Sequence, residues 1–251
     1  MSTYTESTYG ESVADIFDQW YPDFDPQIIS TLVNLAQGGR ALELGIGTGR
    51  IALPLFQAGI EVHGVDSSTA MIKKMQSKPD GKNIPVSESD FSEFDLEGKF
   101  DLIYVVFNTF FGLLTQEDQL QCFTNVANHL SPGGVFLIEA FVPDMARFQD
   151  NQTVRMVEIG DDNLRIEVSR INPIEQMVTS KLVHVDETGA RFYPVNLRYA
   201  WPAELDLMAR FAGLDLLHRW GSWSKTGLTD QDSKHISVYG IAALPDSPGA
   251  E

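Results

Sequence analysis

The sequence predicts an α/β fold in which a parallel sheet of seven strands has helices on both faces and carries an antiparallel β insertion. From residue 41 onward, short apolar strands alternate with amphipathic helices, the order that builds parallel sheets. The strands are continuously apolar, as in 102–106, which is typical of strands covered on both faces. At 251 residues, the chain can form one such domain with an insertion.

The elements of the core follow from apolar periodicity. Two opening helices are predicted at 8–20 and 26–37. The sheet region is predicted to contain strands 41–44, 61–65, 84–88, 100–106, 134–140, 214–220 and 234–242 and helices 48–58, 68–77, 116–130 and 202–212. The tail 245–251, rich in proline and small residues, is expected to be mobile.

The region after residue 150 has a different pattern, with strands separated by turn-like segments. The predicted strands are 153–159, 164–171, 176–185 and 191–199. The chain is therefore expected to form a core of 1–150 and 200–251 and an antiparallel insertion of 151–199. We expect the insertion to cap the substrate, and one apolar face of it could pair two subunits as a homodimer.

Composition excludes several classes of partner. Lys and Arg number 18 against 35 Asp and Glu, a formal charge of -17 that repels phosphate backbones and anionic membranes. The one cysteine, Cys122, excludes an internal disulfide and a thiolate metal cage. Residues 1–6 do not resemble a leader, and apolar runs are too short to span a membrane. The sequence thus predicts a soluble, cytoplasmic protein without a metal, a nucleic-acid partner or a membrane partner.

The most informative segment is 41–49, a short strand that runs into a loop with glycine at Gly45, Gly47 and Gly49. Such a loop lets a ligand lie against bare backbone. Asp66 closes the next apolar run, one strand-helix-strand unit later, where a carboxylate can bind both hydroxyls of a ribose. These features predict an adenosine cofactor. A dinucleotide fingerprint would need a third glycine where the chain has Arg50, which disfavours a nicotinamide oxidoreductase.

Ligands of parallel sheets bind at the carboxyl ends of the strands, and this chain places candidate residues after each one. They are Ser67, Ser89, Asp90, Phe91, Phe107, Asn108 and Thr109. The chain resembles the class I S-adenosylmethionine-dependent methyltransferases over about 8–145 and 200–242. The resemblance is carried by the pattern Glu43-x-Gly45-x-Gly47-x-Gly49, Asp66, the segment 89–91, the turn 130–134 and the strand 235–239. The resemblance implies a Rossmann-like sheet with an antiparallel last strand, S-adenosylmethionine as cofactor and S-adenosylhomocysteine as product.

The resemblance also implies roles for individual residues. The glycine loop would pass under the methionine part of the cofactor, Asp66 would bind the ribose and Asp90 the adenine amino group, with Met71 on the adenine face. The expected cofactor-binding residues are Tyr9, Tyr21, Glu43, Gly45, Gly47, Gly49, Asp66, Ser67, Met71, Ser89, Asp90, Phe91 and Phe107.

The opening helix resembles, more narrowly, that of amino-sugar N,N-dimethyltransferases, which implies that Tyr9 and Tyr21 close over cofactor and substrate. Those enzymes carry a histidine in the loop after the fourth strand, whereas 107–113 has none, which disfavours a sugar pocket. Aromatic residues near the expected site favour an aromatic or apolar natural-product acceptor, such as an indole. The expected substrate-binding residues are Trp20, Asn108, Phe110, Phe111, Phe141 and His184.

A sulfonium methyl group is already electrophilic, so the enzyme must hold a nucleophile about 3 Å away, in line with the sulfur, and exclude water. A base matters only for a nucleophile that arrives protonated and weakly acidic. The expected catalytic residues are Tyr9, Tyr21 and Glu139, the last as a carboxylate at a strand end.

The leading hypothesis is a methyltransferase of secondary metabolism that acts on a small molecule. An amino-sugar N-methyltransferase and a catalytically inactive, cofactor-binding regulator are the alternatives. The acceptor atom, N, C or O, stays open, as does the oligomeric state.

Overall fold

The computed structural model describes residues 4–242, so the tail 245–251 lies outside the described residues. The helices are α1 Thr8–Val13, α2 Phe17–Trp20, α3 Gln27–Ala36, α4 Ala52–Gln57, α5 Thr69–Gln76, α6 Gln116–His129 and α7 Pro202–Phe211. The core strands are β1 Arg40–Leu44, β2 Glu61–Asp66, β3 Val86–Glu88, β4 Phe100–Val105, β5 Leu130–Phe141, β10 Leu214–Trp220 and β11 Lys234–Ile241. The insertion strands are β6 Gln152–Ile159, β7 Leu164–Asn172, β8 Met177–Asp186 and β9 Gly189–Arg198.

The core strands form one seven-stranded sheet in the order β10-β11-β5-β4-β1-β2-β3. Strands β1 to β5 pair in parallel, and β11 runs antiparallel to both of its neighbours. The predicted fold class is thereby confirmed, including the antiparallel last strand. Strand order reverses between β1 and β4, and ligands of such sheets bind at this point, outside the carboxyl ends of the strands.

The sheet is buried on both faces, as its apolar strands predict. Leu42 and Ile103 lie in one apolar cluster with residues of α6 and α7, while Ala41 and Leu102 lie in a second cluster with residues of α3 and α4. The alternation of neighbouring residues between two clusters is what a strand between two helical layers requires.

Two predicted helices begin or end elsewhere in the structure. The prediction of one helix over 8–20 was wrong, because the chain breaks into α1 and α2, whose residues contact different neighbours. The helix predicted at 48–58 begins only at Ala52, because the glycine loop has left-handed backbone up to Gly49, with φ of 74°. The turn predicted at 130–134 is part of β5.

The insertion forms a separate four-stranded antiparallel sheet in the order β6-β7-β8-β9. One of its faces, here called the inner face, contacts α1 and α2, with the rings of Trp20 and Tyr193 4.9 Å apart. The predicted antiparallel insertion is therefore present, with each strand within two residues of its expected bounds. Among residues 4–242, we find no helix with the length and apolarity needed to cross a membrane.

Candidate active site

The conformation of the glycine loop after β1 depends on left-handed backbone angles and on hydrogen bonds from its amides. Gly45 and Gly47 have φ of 70° and 56°, the left-handed region that glycine adopts most readily. A side chain on Gly45 would also collide with Thr109, whose Cγ2 lies 2.3 Å from the position of a Cβ. The amides of Gly45 and Ile46 donate to the Val65 carbonyl at 2.8 and 3.0 Å, which fixes the loop against β2.

Asp66 organises the loop from the end of β2. Its Oδ2 accepts a hydrogen bond from the Gly47 amide at 2.7 Å, and its Oδ1 accepts one from the Ser68 amide at 2.8 Å. Burial raises the pKa of Asp66, and the two amides oppose that shift. A carboxylate has about four acceptor positions, so two remain for a ligand that brings two donors, such as a vicinal diol.

A continuous cavity of about 660 Å³ extends from this loop to the inner face of the insertion. The sheet end of the cavity is lined by Gly45, Gly47, Asp66, Ser67, Met71, Asp90 and Phe91. The insertion end is lined by Met145, Arg147, Phe148, Arg155, Glu167, Ile171, Val178, Ser180, Leu182, Val195, Asn196, Leu197 and Tyr199. The cavity thus combines a nucleoside-compatible end with a largely apolar end that carries a few polar groups.

Between the two ends, Tyr9, Tyr21, Phe107, Asn108 and Phe141 line the cavity. The rings of Tyr21 and Phe107 lie 4.9 Å apart in an edge-on arrangement. Burial, together with the adjacent Tyr21, raises the pKa of Tyr9 well above its usual value, although the charge of Arg165 opposes the shift. The Tyr9 hydroxyl therefore stays neutral at physiological pH.

The N-terminal segment is tied to the core by its acidic side chains. Glu11 Oε1 accepts hydrogen bonds from Ser68 Oγ at 2.8 Å and from the Ala70 amide at 2.9 Å, at the start of α5. Asp18 accepts a hydrogen bond from Thr48 Oγ1 at 2.6 Å and pairs with Lys78 at 2.7 Å. These contacts hold α1 and α2 across the opening of the glycine loop.

Three expected cofactor-binding residues lie behind the cavity wall instead of in it. Glu43 is buried, which raises its pKa to about 8, and it accepts a hydrogen bond from the Tyr104 hydroxyl at 3.0 Å. A Cβ on Gly49 would lie 2.5 Å from Met75 Cγ, so this glycine permits close packing on α5. The Ser89 amide donates to the Asp66 carbonyl at 3.1 Å. All three support the loop from outside.

Glu139, expected as a catalytic carboxylate, does not line the cavity. Within the described part of the chain, its carboxylate accepts hydrogen bonds from Trp223 Nε1 at 2.9 Å, Lys234 Nζ at 2.8 Å and the Phe107 amide at 3.1 Å. This expectation therefore needs correction: the side chain is occupied by protein donors and positions Phe107, whose φ of 60° it stabilises.

Four expected substrate-binding residues also lie outside the cavity wall. Trp20 packs on Tyr193 and on the Arg165 guanidinium, 4.6 Å from its ring, and the His184 ring lies 6.1 Å away. Phe110 and Phe111 are fully buried in the core beneath the loop after β4. The apolar face of α2 is thus used to dock the insertion, and the two phenylalanines are used to fill the core.

Strand order, glycine loop and strand-end carboxylates together define a class I methyltransferase site. A model of the methyltransferase domain matches residues 41–134. The structure of the CcbJ methyltransferase from Streptomyces caelestis superimposes with a TM-score of 0.90 at 36% identity, over 96% of this chain and 100% of that one. The cypemycin N-terminal methyltransferase of a Streptomyces species is 29% identical over 205 residues, 80% of this chain and 82% of that protein.

A third relative has a sugar substrate in its name. The dTDP-4-amino-2,3,4,6-tetradeoxy-D-glucose N,N-dimethyltransferase of Saccharopolyspora spinosa is 30% identical over 145 residues, 54% of this chain and 57% of that protein. From these likenesses, the chain belongs to the class I S-adenosylmethionine-dependent methyltransferases of the small-molecule type. It is a methyltransferase whose cofactor is S-adenosylmethionine.

Proposed function

We propose that this enzyme methylates a nitrogen atom of a small natural-product amine, bound between the glycine loop and the inner face of the insertion. The observation that supports the proposal best is that one cavity is lined both by the glycine loop and Asp66 and by the inner face of the insertion. A cofactor bound at one end would present its reactive group to an acceptor bound at the other.

At the sheet end, the residues present fit the cofactor. Asp66, with two free acceptor positions, would bind the ribose, and Asp90 would accept from the adenine amino group, with the backbone of Phe91 beside it. Met71, which is only 4% exposed, lines the cavity where an adenine face would pack. The bare backbone at Gly45 and Gly47 would lie under the methionine part. When bound, the cofactor supplies an electrophilic methyl group.

Tyr9 and Tyr21 would close the cavity over the reacting atoms. The oxygen of the neutral Tyr9 hydroxyl can accept a hydrogen bond from an amine N–H and so orient the nitrogen lone pair. Phe107 and Phe141 add apolar surface that excludes water from the same region.

A nitrogen acceptor that arrives as a neutral amine needs no base from the cavity, whose ionisable lining includes carboxylates such as Asp144 and Glu167. Among the described residues, no histidine lines the cavity, and Glu139 is held by protein donors outside it. A neutral amine already carries its lone pair, whereas an aliphatic hydroxyl needs a base to remove its proton. The relative from Saccharopolyspora spinosa is named an N,N-dimethyltransferase of an amino sugar, which adds support. The cypemycin relative is named an N-terminal methyltransferase.

The insertion end favours an acceptor with an apolar body. Its aliphatic walls include Ile171, Val178, Leu182, Val195 and Leu197. Because Trp20, Phe110 and Phe111 do not reach the cavity, an aliphatic body is better supported than an indole. An amino sugar is the second candidate, favoured by the polar group of Arg155, Glu167 and Ser180 in the same wall.

We further propose that the insertion, 151–199, serves both as the acceptor cap and as a contact between two subunits. Its outer face exposes 67% of Val154, 51% of Met156 and 62% of Phe192, an apolar surface that a second copy could cover. Sedimentation velocity of the wild type and Met156→Glu tests this contact: we expect a dimer that the variant converts to monomer, and a monomeric wild type would reject it.

Two measurements test the proposed function. Calorimetric titration should show binding of S-adenosylhomocysteine. Incubation with trideuteromethyl S-adenosylmethionine and a panel of aliphatic amines, amino sugars, indoles and phenols should give labelled N-methyl products by mass spectrometry. Transfer only to carbon or oxygen would overturn the nitrogen assignment. Cofactor binding without transfer to any panel member would favour the regulatory alternative.

A further inference from the structure

A compact polar group, here called the serine-carboxylate triangle, lies on the inner face of the insertion. It consists of Glu167, Ser169 and Ser180. Glu167 Oε1 lies 3.0 Å from Ser169 Oγ and 3.2 Å from Ser180 Oγ, and the two hydroxyl oxygens lie 2.7 Å apart. Both serines are buried, with 3% and 4% exposure, among mainly aliphatic side chains.

Strand pairing builds the triangle. Ser169 of β7 lies directly opposite Ser180 of β8 in the antiparallel register, and Glu167 precedes Ser169 by two residues, so all three side chains project from one face. Glu167 and Ser180 line the cavity, whereas Ser169 lies behind them. The triangle therefore presents its Glu167–Ser180 edge to whatever occupies the insertion end.

The carboxylate of Glu167 is ionised. Burial alone would raise its pKa, but the hydrogen bonds and charge of Arg155, with smaller help from Ser169 and Arg147, lower the pKa below its usual value. Arg155 Nε and Nη2 both donate to Glu167 Oε2, at 3.1 and 2.7 Å, so Oε1 is the oxygen left for the serines.

The triangle is short of hydrogen-bond donors. Each serine hydroxyl supplies one proton and the ionised carboxylate supplies none, so two protons are shared among three close oxygen pairs. The 2.7 Å separation of the hydroxyl oxygens requires a proton between them. One remaining proton then serves one serine contact with Glu167, and within residues 4–242 no other donor reaches Oε1.

We infer that the Glu167–Ser180 edge accepts a hydrogen bond from an uncharged O–H or N–H group of the methyl acceptor, at a point separate from the methylated nitrogen. The inference rests on the proposed function, which puts the acceptor at this end of the cavity. An uncharged donor fits because Arg155 balances the charge of Glu167, and Arg147 adds a positive charge to the same wall. Glu167 and Ser180 thus determine acceptor specificity.

A matched pair of probes tests this assignment without knowledge of the natural acceptor. Para-propylphenol offers one O–H donor and an apolar tail, and para-propylanisole has the same shape without the donor. Dissociation constants are measured by ligand-observed NMR titration with S-adenosylhomocysteine present in excess. We expect the wild type to bind the phenol about tenfold more tightly, the scale of one hydrogen bond to a charged group.

Glu167→Gln makes the test specific. Arg155 holds the amide oxygen, so the amide N–H₂ faces the serines and supplies the missing protons. The triangle should then prefer an acceptor group, and the preference for the phenol should vanish or reverse. Glu158→Gln is the matched control, because Glu158 pairs with Arg165 on the same sheet but does not line the cavity; it should keep the wild-type preference.

Equal affinity of the wild type for the two probes would overturn the inference without use of any variant. A preference that survives Glu167→Gln, in a variant with the wild-type circular dichroism spectrum, would overturn it as well. Failure of S-adenosylhomocysteine to bind would instead contradict the proposed function. In that case the relative affinity for the two probes is measured without S-adenosylhomocysteine, and it still decides whether the Glu167–Ser180 edge accepts a hydrogen bond.

Discussion

The ammonium group of Lys78 lies 2.7 Å from the Asp18 carboxylate and also donates to the Thr48 carbonyl at 2.8 Å. Lys78 thus links Asp18 of the N-terminal segment to Thr48 of the glycine loop. Arg50 adds a parallel link, since its guanidinium donates to the Asp23 carbonyl at 3.0 Å and lies 4.3 Å from the centre of the Phe107 ring. The N-terminal segment is therefore attached to the elements that would surround the cofactor.

Lys78→Met should weaken S-adenosylhomocysteine binding more than it weakens folding. The pair is partly exposed, with side-chain exposures of 26% and 33%, so its loss should cost only about 0.5 to 1 kcal/mol of stability. We expect the dissociation constant to rise about threefold to tenfold, measured by calorimetry, because the segment over the loop is released. Lys74→Met, in the last turn of α5 and four residues before Lys78, should leave affinity unchanged; an equal effect of both substitutions would contradict the prediction.

Asp66→Asn should weaken S-adenosylhomocysteine binding by about 1.5 to 3 kcal/mol, the scale of a lost hydrogen bond to a charged group. The amide removes the negative charge and replaces one acceptor oxygen with a donor, so one of the bonds from the Gly47 and Ser68 amides is lost and ribose hydroxyls find a weaker acceptor. Calorimetric titration measures the effect, and Asp95→Asn, at an exposed position, is the control. An affinity within twofold of the wild type would refute the ribose role of Asp66.

Tyr9→Phe should lower kcat/KM by about tenfold for an amine that the wild-type enzyme methylates. The dissociation constant of S-adenosylhomocysteine should change little. The hydroxyl is proposed to orient the amine, and its loss removes about one hydrogen bond from the transition state. Tyr193→Phe removes a hydroxyl outside the cavity and should keep the activity. A parallel loss of melting temperature and turnover in Tyr9→Phe would indicate a packing role instead.

Glu43→Gln should remove a pH dependence of stability. Burial raises the pKa of Glu43 from 4.5 to about 8, so the folded state binds a proton that the unfolded state releases between these values. The wild type therefore loses stability as pH rises through that window. The amide has no proton to lose, so we expect the variant to gain on the order of 3 kcal/mol relative to the wild type between about pH 5 and pH 9.

Urea unfolding at several pH values measures this difference, and Glu97→Gln in an exposed loop is the control. A constant difference between Glu43→Gln and the wild type across the range would show that Glu43 is ionised in the folded state.

The residues that line the sheet end of the cavity could be predicted from the sequence because their positions are set locally. The glycines, Asp66 and Asp90 directly follow strands, and parallel strand ends converge on one edge of the sheet. Trp20 and His184 were expected to contact substrate, but neither lines the cavity. Apolar periodicity identifies a buried face of a helix or strand, but it does not identify the element that packs on that face. The structure shows that the two side chains lie near each other, where α2 docks on the insertion.

The side-chain contacts at the insertion end of the cavity could not be predicted from the sequence. Residues 165, 167, 169 and 171 alternate with outward-facing ones, so their common face was visible in the sequence. The pairing of Ser169 with Ser180 depends on the register of β7 and β8, which no local pattern fixes. Glu139 was misjudged for a related reason, since its partners Trp223 and Lys234 come from much later in the chain.

The dependence of Phe107 on Glu139, and of Glu139 on Lys234, orders events during synthesis. A chain emerging from the ribosome contains the glycine loop and Asp66 long before Trp223 and Lys234 appear. Until those residues arrive, the Glu139 carboxylate lacks two of the donors that hold it beside the Phe107 amide. We therefore expect the loop that carries Phe107 to be among the last parts of the site to become ordered as the chain is synthesised.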